Sequence, residues 1–143
     1  MNDIKITPLT FLSIQYSTIE YRWGGNFPLT GLDCSGFVQI VLKKLGLLDS
    51  SVDHTAQMIY NALLKNEKCF SSKPNFNTIL FFGKSVDQIT HVAIGISDIW
   101  MIEARGGDST CINRDASIAK NAFIETTRID HRKDLVSCIS VEY

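Results

Sequence analysis

The chain has 143 residues, 45% of them hydrophobic and 20% charged, with a net charge of −1. These are values of a single globular domain, spanning 1–143, with enough apolar residues for a real core. They offer no basic surface for nucleic acid or an anionic membrane, and no apolar run of about 18 residues that would span a bilayer.

The N-terminus, Met-Asn-Asp-Ile-Lys-Ile-Thr-Pro, lacks the apolar stretch of an export signal, so cytoplasmic synthesis without a signal peptide or membrane anchor is expected. A target outside that compartment would have to be reached after release or by carriage. Thr7 and Pro8 read as a cap and first helical position, followed by an apolar stripe of Leu9, Leu12, Tyr16 and Ile19. From Arg22 to Leu32 three glycines and Pro28 predict a loop. Phe37, Ile40, Val41 and Leu45 recur at helical spacing, and Gly46 after Lys43 and Lys44 marks the stop. Asp53 is a candidate cap for a third helix whose face carries Ala56, Ile59, Tyr60, Leu63 and Leu64.

Near residue 75 the period changes. Strands are predicted from Thr78 to Phe82, Thr90 to Ile96 and Trp100 to Ala104, with Ser97 and Asp98 as a hairpin turn. Phe123 to Ile129 and Leu135 to Val141 add two more, joined by a solvated turn at Arg132, Lys133 and Asp134. Helices followed by a strand meander make an α+β pattern, N-terminal helices packed on an antiparallel sheet.

Of the four cysteines, none lies in a C-x-x-C pair, and a cytosolic chain is not expected to form disulfides. Cys69, Cys111 and Cys138 read as small apolar residues. Cys34 differs through its neighbours: a glycine loop precedes it and a helix begins at it. Unpaired N–H groups and the helix dipole favour a thiolate there. A helix start stabilises a negative charge by only about 0.3–1 kcal/mol. Lowering a thiol from about 8.5 to about 5 requires roughly 5 kcal/mol. A cationic partner is therefore needed, and an imidazolium is the usual one.

There are three histidines. His131 lies in a charged turn, where a solvent-exposed ring outside the chemistry is expected. His54, beside Asp53 at a helix start, fits a cap contact or a pocket wall. His91 sits in an otherwise apolar strand, either as a core histidine with its polar atoms satisfied or as the base presented to Cys34. Glu103, twelve residues on and across the predicted hairpin, is a candidate to orient that imidazole. A surface-facing Glu on an edge strand is the rival placement.

Together these residues resemble the NlpC-type cell-wall peptidases, a compact branch of the papain-like cysteine peptidases. The motif is Tyr21, Gly24 and Gly25, then Asp33, Cys34, Ser35 and Gly36, then His91 opening a strand, then Glu103 on the next, over about residues 10–105. Thr55-Ala56-Gln57 is similar to the family's stretch between nucleophile helix and sheet. Glu103 to Gly107, Asn121 to Phe123 and Arg132 to Leu135 resemble bacteriophage-encoded members. Glu103 stands where histidine, asparagine or glutamine is commoner, and Asn77-Thr78 replaces the usual glycine–aspartate.

The resemblance implies a papain-like fold and a cofactor-free, metal-free endopeptidase. Cys34, His91 and Glu103 are its implied catalytic set, with Tyr21 as a second oxyanion donor beside the Cys34 N–H. The implied substrate is a peptidoglycan stem peptide cut between D-glutamate and the diamino acid, with Asp33, Ser35, Trp23 and Gln57 as substrate-binding candidates. It also implies a lysis or tail-associated setting, with other phage tail or lysis proteins as partners and action on the wall after release or from a virion. The rival classes are a lipid-directed thiol acyltransferase, which would want an apolar patch or anchor, and a non-catalytic wall-binding or virion module.

Overall fold

The structure is a computed structural model that describes residues 5–143. The reading of the N-terminus as lacking an export signal falls partly on residues 1–4, outside the described residues. Among the described residues no helix is long and apolar enough to cross a membrane.

Helix α1 (Pro8–Ile14) starts where expected, with the Thr7 hydroxyl accepting from the Thr10 N–H at 3.2 Å. It ends earlier than its apolar stripe. Tyr16 lies past the last turn and packs edge-on against Phe37, ring centroids 6.1 Å apart. The predicted loop contains a small antiparallel hairpin, β1 (Asn26–Phe27) with β2 (Gly31–Leu32). Helix α2 (Cys34–Lys44) follows at once, and Gly46 at φ 74° takes the left-handed conformation beyond its end.

Helix α3 (Ala56–Leu64) is capped by Thr55, not Asp53: the Thr55 hydroxyl accepts from the Met58 N–H at 3.2 Å. Asp53 is drawn away because its carboxylate accepts from the Gln39 amide at 2.7 Å. The same Gln39 accepts from the His54 N–H at 2.8 Å, so a buried amide on α2 fixes the entry to α3.

The remaining elements are β3 (Cys69–Ser71), β4 (Thr78–Gly83), β5 (Ile89–Gly95), β6 (Trp100–Arg105), α4 (Arg114–Ala119), β7 (Phe123–Arg128), a 3-10 turn (Ile129–His131) and β8 (Leu135–Val141). They form an antiparallel sheet in the order β3-β8-β4-β5-β6-β7. A simple meander would leave β8 beside β7. Instead β8 returns to pair with β4, whose residues are all buried and need ladder partners on both edges.

Alternation along the strands sorts the sheet into two faces. Ile79, Phe81, Val92, Ile94, Ile102 and Ala104 join the main core with Phe37, Val41, Ile59 and Leu63 of α2 and α3. Leu80, Phe82, Ala93, Met101, Ile129 and Cys138 form a smaller cluster on the other face. By the same period His91 and Glu103 belong to that second face. The Phe82 ring lies 5.5 Å from the His91 ring.

Candidate active site

The candidate nucleophile, Cys34, stands at the start of α2. Asp33 is the cap: its Oδ1 accepts from the Gly36 N–H at 2.7 Å and from the Ser35 hydroxyl at 3.3 Å. Cys34 is then the first helical residue, and its N–H has no partner within the helix. The Gly25 carbonyl accepts from the Asp33 N–H at 3.0 Å and lies so close to Gly36 that any Cβ there would overlap it. The double-glycine loop is thereby folded onto the first turn, beside the thiol. Burial pushes the Asp33 carboxyl up, against the hydrogen bonds from Gly36 and Ser35.

Tyr21 enters from the same segment. Its ring is buried and packs on Gly107, where a Cβ would penetrate the ring. Burial, followed by the negative charges that Cys34 and Asp33 can carry, raises its hydroxyl well above the usual phenol range. The group keeps its proton and remains a donor.

The base side comes from the sheet. His91 opens β5 as its third residue, and its Nε2 donates to Glu103 Oε1 at 2.7 Å. That leaves Nδ1 for Cys34, which lines the same cavity and acts on the ring electrostatically. Burial lowers the imidazole pKa, but the hydrogen bonds and charges of Cys34 and Glu103 outweigh it, and the ring is pushed up from 6.5 to about 9. Glu103 is fully buried. Burial raises its carboxyl, yet the His91 contact, with help from Thr127 and His131, holds it down from 4.5 to about 2. The site therefore favours an imidazolium held against an ionised Glu103.

A cavity of about 430 Å³ opens over this set, with Tyr21, Trp23, Cys34, His91 and Glu103 among its lining residues. Trp23 is half exposed at its wall. Asp33 and Ser35 instead line a second, smaller cavity of about 180 Å³ with Gly24, Asn26 and His54. Gln57 borders neither: its amide oxygen accepts from the Ile89 N–H at 2.9 Å and its nitrogen donates to the Val86 carbonyl at 2.8 Å. It ties α3 to the start of β5.

His131 is exposed in its turn, as expected, but it is bonded to the His91–Glu103 pair. Its Nε2 donates to Glu103 Oε2 at 2.5 Å, and the ring lines the larger cavity with its side chain 35% exposed. Thr127 donates to the same oxygen at 2.5 Å. Neither contact is visible in local sequence, because both depend on β7 pairing with β6 in the register Met101↔Thr127 and Glu103↔Glu125.

The sequence profile of the NlpC/P60 family matches residues 18–128. CwlT of Bacillus subtilis (strain 168), a bifunctional muramidase/DL-endopeptidase, is 33% identical over 88 residues, covering 60% of this chain and 25% of that protein. The chain thus spans a quarter of the length of this curated relative. Among solved structures, the NlpC/p60 domain of the peptidoglycan hydrolase SagA superimposes with a TM-score of 0.66 at 19% identity, covering 95% of this chain and 100% of that one. A protein similar to lipoprotein, of the NLP/P60 family, from Staphylococcus aureus subsp. aureus Mu50 gives a TM-score of 0.66 at 20% identity, covering 99% of this chain and 44% of that one. At these identities the structural likeness is one of fold.

Proposed function

The chain belongs to the NlpC/P60 family, and on that premise we propose that it is a cysteine endopeptidase hydrolysing an amide bond in peptidoglycan stem peptides. The observation that carries the reading is His91, bonded to buried Glu103 and sharing one open cavity with the Cys34 thiol at a helix start.

The chemistry follows from that arrangement. The Cys34 thiolate adds to the substrate carbonyl, and the Cys34 N–H with the protonated Tyr21 hydroxyl stabilises the oxyanion. As the tetrahedral intermediate collapses, the C–N bond breaks and His91 gives its proton to the leaving amine. Neutral His91 then takes a proton from water, whose oxygen displaces Cys34 from the thioester. Glu103 stays ionised throughout and keeps the imidazole in one orientation.

The residues next to Cys34 in sequence line the smaller cavity, while Cys34 itself lines the larger. Asp33, with Ser35 beside it, offers a carboxylate for the free amine of a stem peptide, and Trp23 a wall for the other side. The bond between D-glutamate and the diamino acid is the proposed cut, consistent with CwlT being a DL-endopeptidase. A phage lysis or tail-associated setting rests on the resemblance of the C-terminal segments alone.

Digestion of purified peptidoglycan, with fragments identified by mass, tests class and bond together. New N-termini on the diamino acid, absent with Cys34→Ala, are expected. Intact stem peptides after prolonged digestion would overturn the reading in favour of a binding module.

A further inference from the structure

We infer that His131 is a positioning residue of the catalytic network, holding one oxygen of Glu103 so that the other remains on His91. The inference rests on the proposed cysteine chemistry, but its observations are separate from the family pattern: His131 lies beyond the matched residues 18–128.

A carboxylate turns broadly about its last torsion, so one hydrogen bond leaves its plane free. Glu103 is held at both oxygens, His91 on Oε1 and Thr127 with His131 on Oε2. Two donors from β7 and the turn after it thus fix the plane that the His91 ring must meet. The turn is itself anchored. Ile129 is buried in the smaller cluster, and its N–H donates to the Ile99 carbonyl at 2.8 Å. Arg132 next to His131 grips Asp134 through two hydrogen bonds of 2.9 and 2.8 Å and lies over the Phe82 ring, which packs on His91.

The other charges around the cavity have partners of their own. Arg105 bonds Glu125, the residue opposite Glu103 in register, at 2.7 Å, and Lys120 bonds Asp108 at 3.2 Å. Asp134 is taken up by Arg132. The groups that face Glu103 directly are His91, Thr127 and His131, with Cys34 beyond His91. A turn histidine with only a surface role would not need a fully buried carboxylate. The buried carboxylate does need its second oxygen satisfied.

The test reads the thiolate directly, so it needs no substrate: the rate of Cys34 alkylation by iodoacetamide, followed by mass from acid to alkaline pH. The variants are His131→Ala, His131→Gln, Glu103→Ala and the Glu103→Ala/His131→Ala pair, with thermal melts alongside. His131→Ala is expected to slow alkylation near neutral pH by about 3- to 10-fold and move thiolate formation to higher pH, whereas the pair should match Glu103→Ala within about twofold, since residues acting through one another are not additive. His131→Gln, whose amide nitrogen can replace Nε2, should restore the rate. If His131→Ala is poorly folded, His131→Asn, too short to reach Oε2, reads the same loss. Equal losses with and without Glu103, no rescue by Gln, or a wild-type rate in His131→Ala would each overturn the inference. Failure to cleave peptidoglycan with this alkylation pattern intact would overturn only the proposed substrate.

Discussion

The two sides of the cavity are assembled in opposite ways. Tyr21, Trp23, Asp33, Cys34 and Ser35 come from one continuous segment, in which a hairpin and a helix cap fix their relations. His91, Glu103, Thr127 and His131 come from β5, β6, β7 and the turn after it, and meet only when the sheet is in register. The nucleophile side is therefore local and rigid in itself, through the Gly25–Gly36 approach and the Asp33 cap. The base side is a product of tertiary structure. Damage to the first should remove the chemistry without disturbing the fold, whereas damage to the second should alter pH dependence and stability together.

The largest expected effect breaks the local side. Cys34→Ala removes the proposed nucleophile while leaving the cap, because Asp33 bonds the Gly36 backbone and not the thiol. Turnover should fall by at least about a thousandfold. The melting temperature should stay close to that of the wild type. Cys111→Ala and Cys138→Ala, both at buried positions, should do the reverse, costing stability and sparing the rate; Cys69→Ala should cost less of either. Parallel assays of digestion and thermal unfolding check this. Full inactivation by a change at one of the other three would move the nucleophile.

Glu103→Gln sharpens the comparison from the other side. His91 holds its proton up to about 9 despite burial, because Cys34 and Glu103 bond and attract it. Removing the Glu103 charge should therefore move the alkaline limb of the pH–rate profile to lower pH and reduce the maximal rate. Stability should follow the same contact. Glu103, held down from 4.5 to about 2, contributes above 4.5 and loses that contribution as pH falls towards 2. His91, raised from 6.5 to about 9, contributes below 6.5 and loses that contribution as pH rises through 9. These are two views of one ion pair, so the difference in melting temperature between wild type and Glu103→Gln should be greatest between 4.5 and 6.5. Superimposed rate profiles and a pH-independent difference would remove Glu103 from the site.

The same division explains what was legible in the sequence. The α2 start, its stop at Gly46 and the α1 cap are written in neighbouring residues, and the strands from Thr78 to Val141 in their apolar runs. Spacing and resemblance single out Tyr21, Trp23, Cys34, His91 and Glu103, which line one cavity. Three features were not legible because the deciding contact is distant in sequence. Asp53 has the right chemistry for a cap, but Gln39 competes for it and Thr55 takes the position. The strand after β7 was expected to continue a meander, but β4 needed a partner on its free edge. His131 sits in a charged tripeptide that reads as surface, and only the β6–β7 register brings it to Glu103.

The smallest effect belongs to a residue between the two sides. Gln57 was expected to line the substrate groove, yet both ends of its amide are bonded to the backbone around the start of β5, at Val86 and Ile89. In this position it braces α3 against the strand that carries His91. Gln57→Ala removes both bonds and leaves the N–H of buried Ile89 without that acceptor. At roughly 0.5–1.5 kcal/mol for each bond, the expected loss is about 1–3 kcal/mol of stability. For a chain of this length that is a fall of several degrees in melting temperature. With His91 still fixed by Glu103 and Cys34, kcat and KM should each stay within about threefold of wild type. Thermal unfolding and steady-state kinetics on the same preparation separate the two roles. A brace lowers the melting temperature and spares KM. A groove residue would raise KM several-fold at unchanged melting temperature, and that result would put Gln57 back on the substrate.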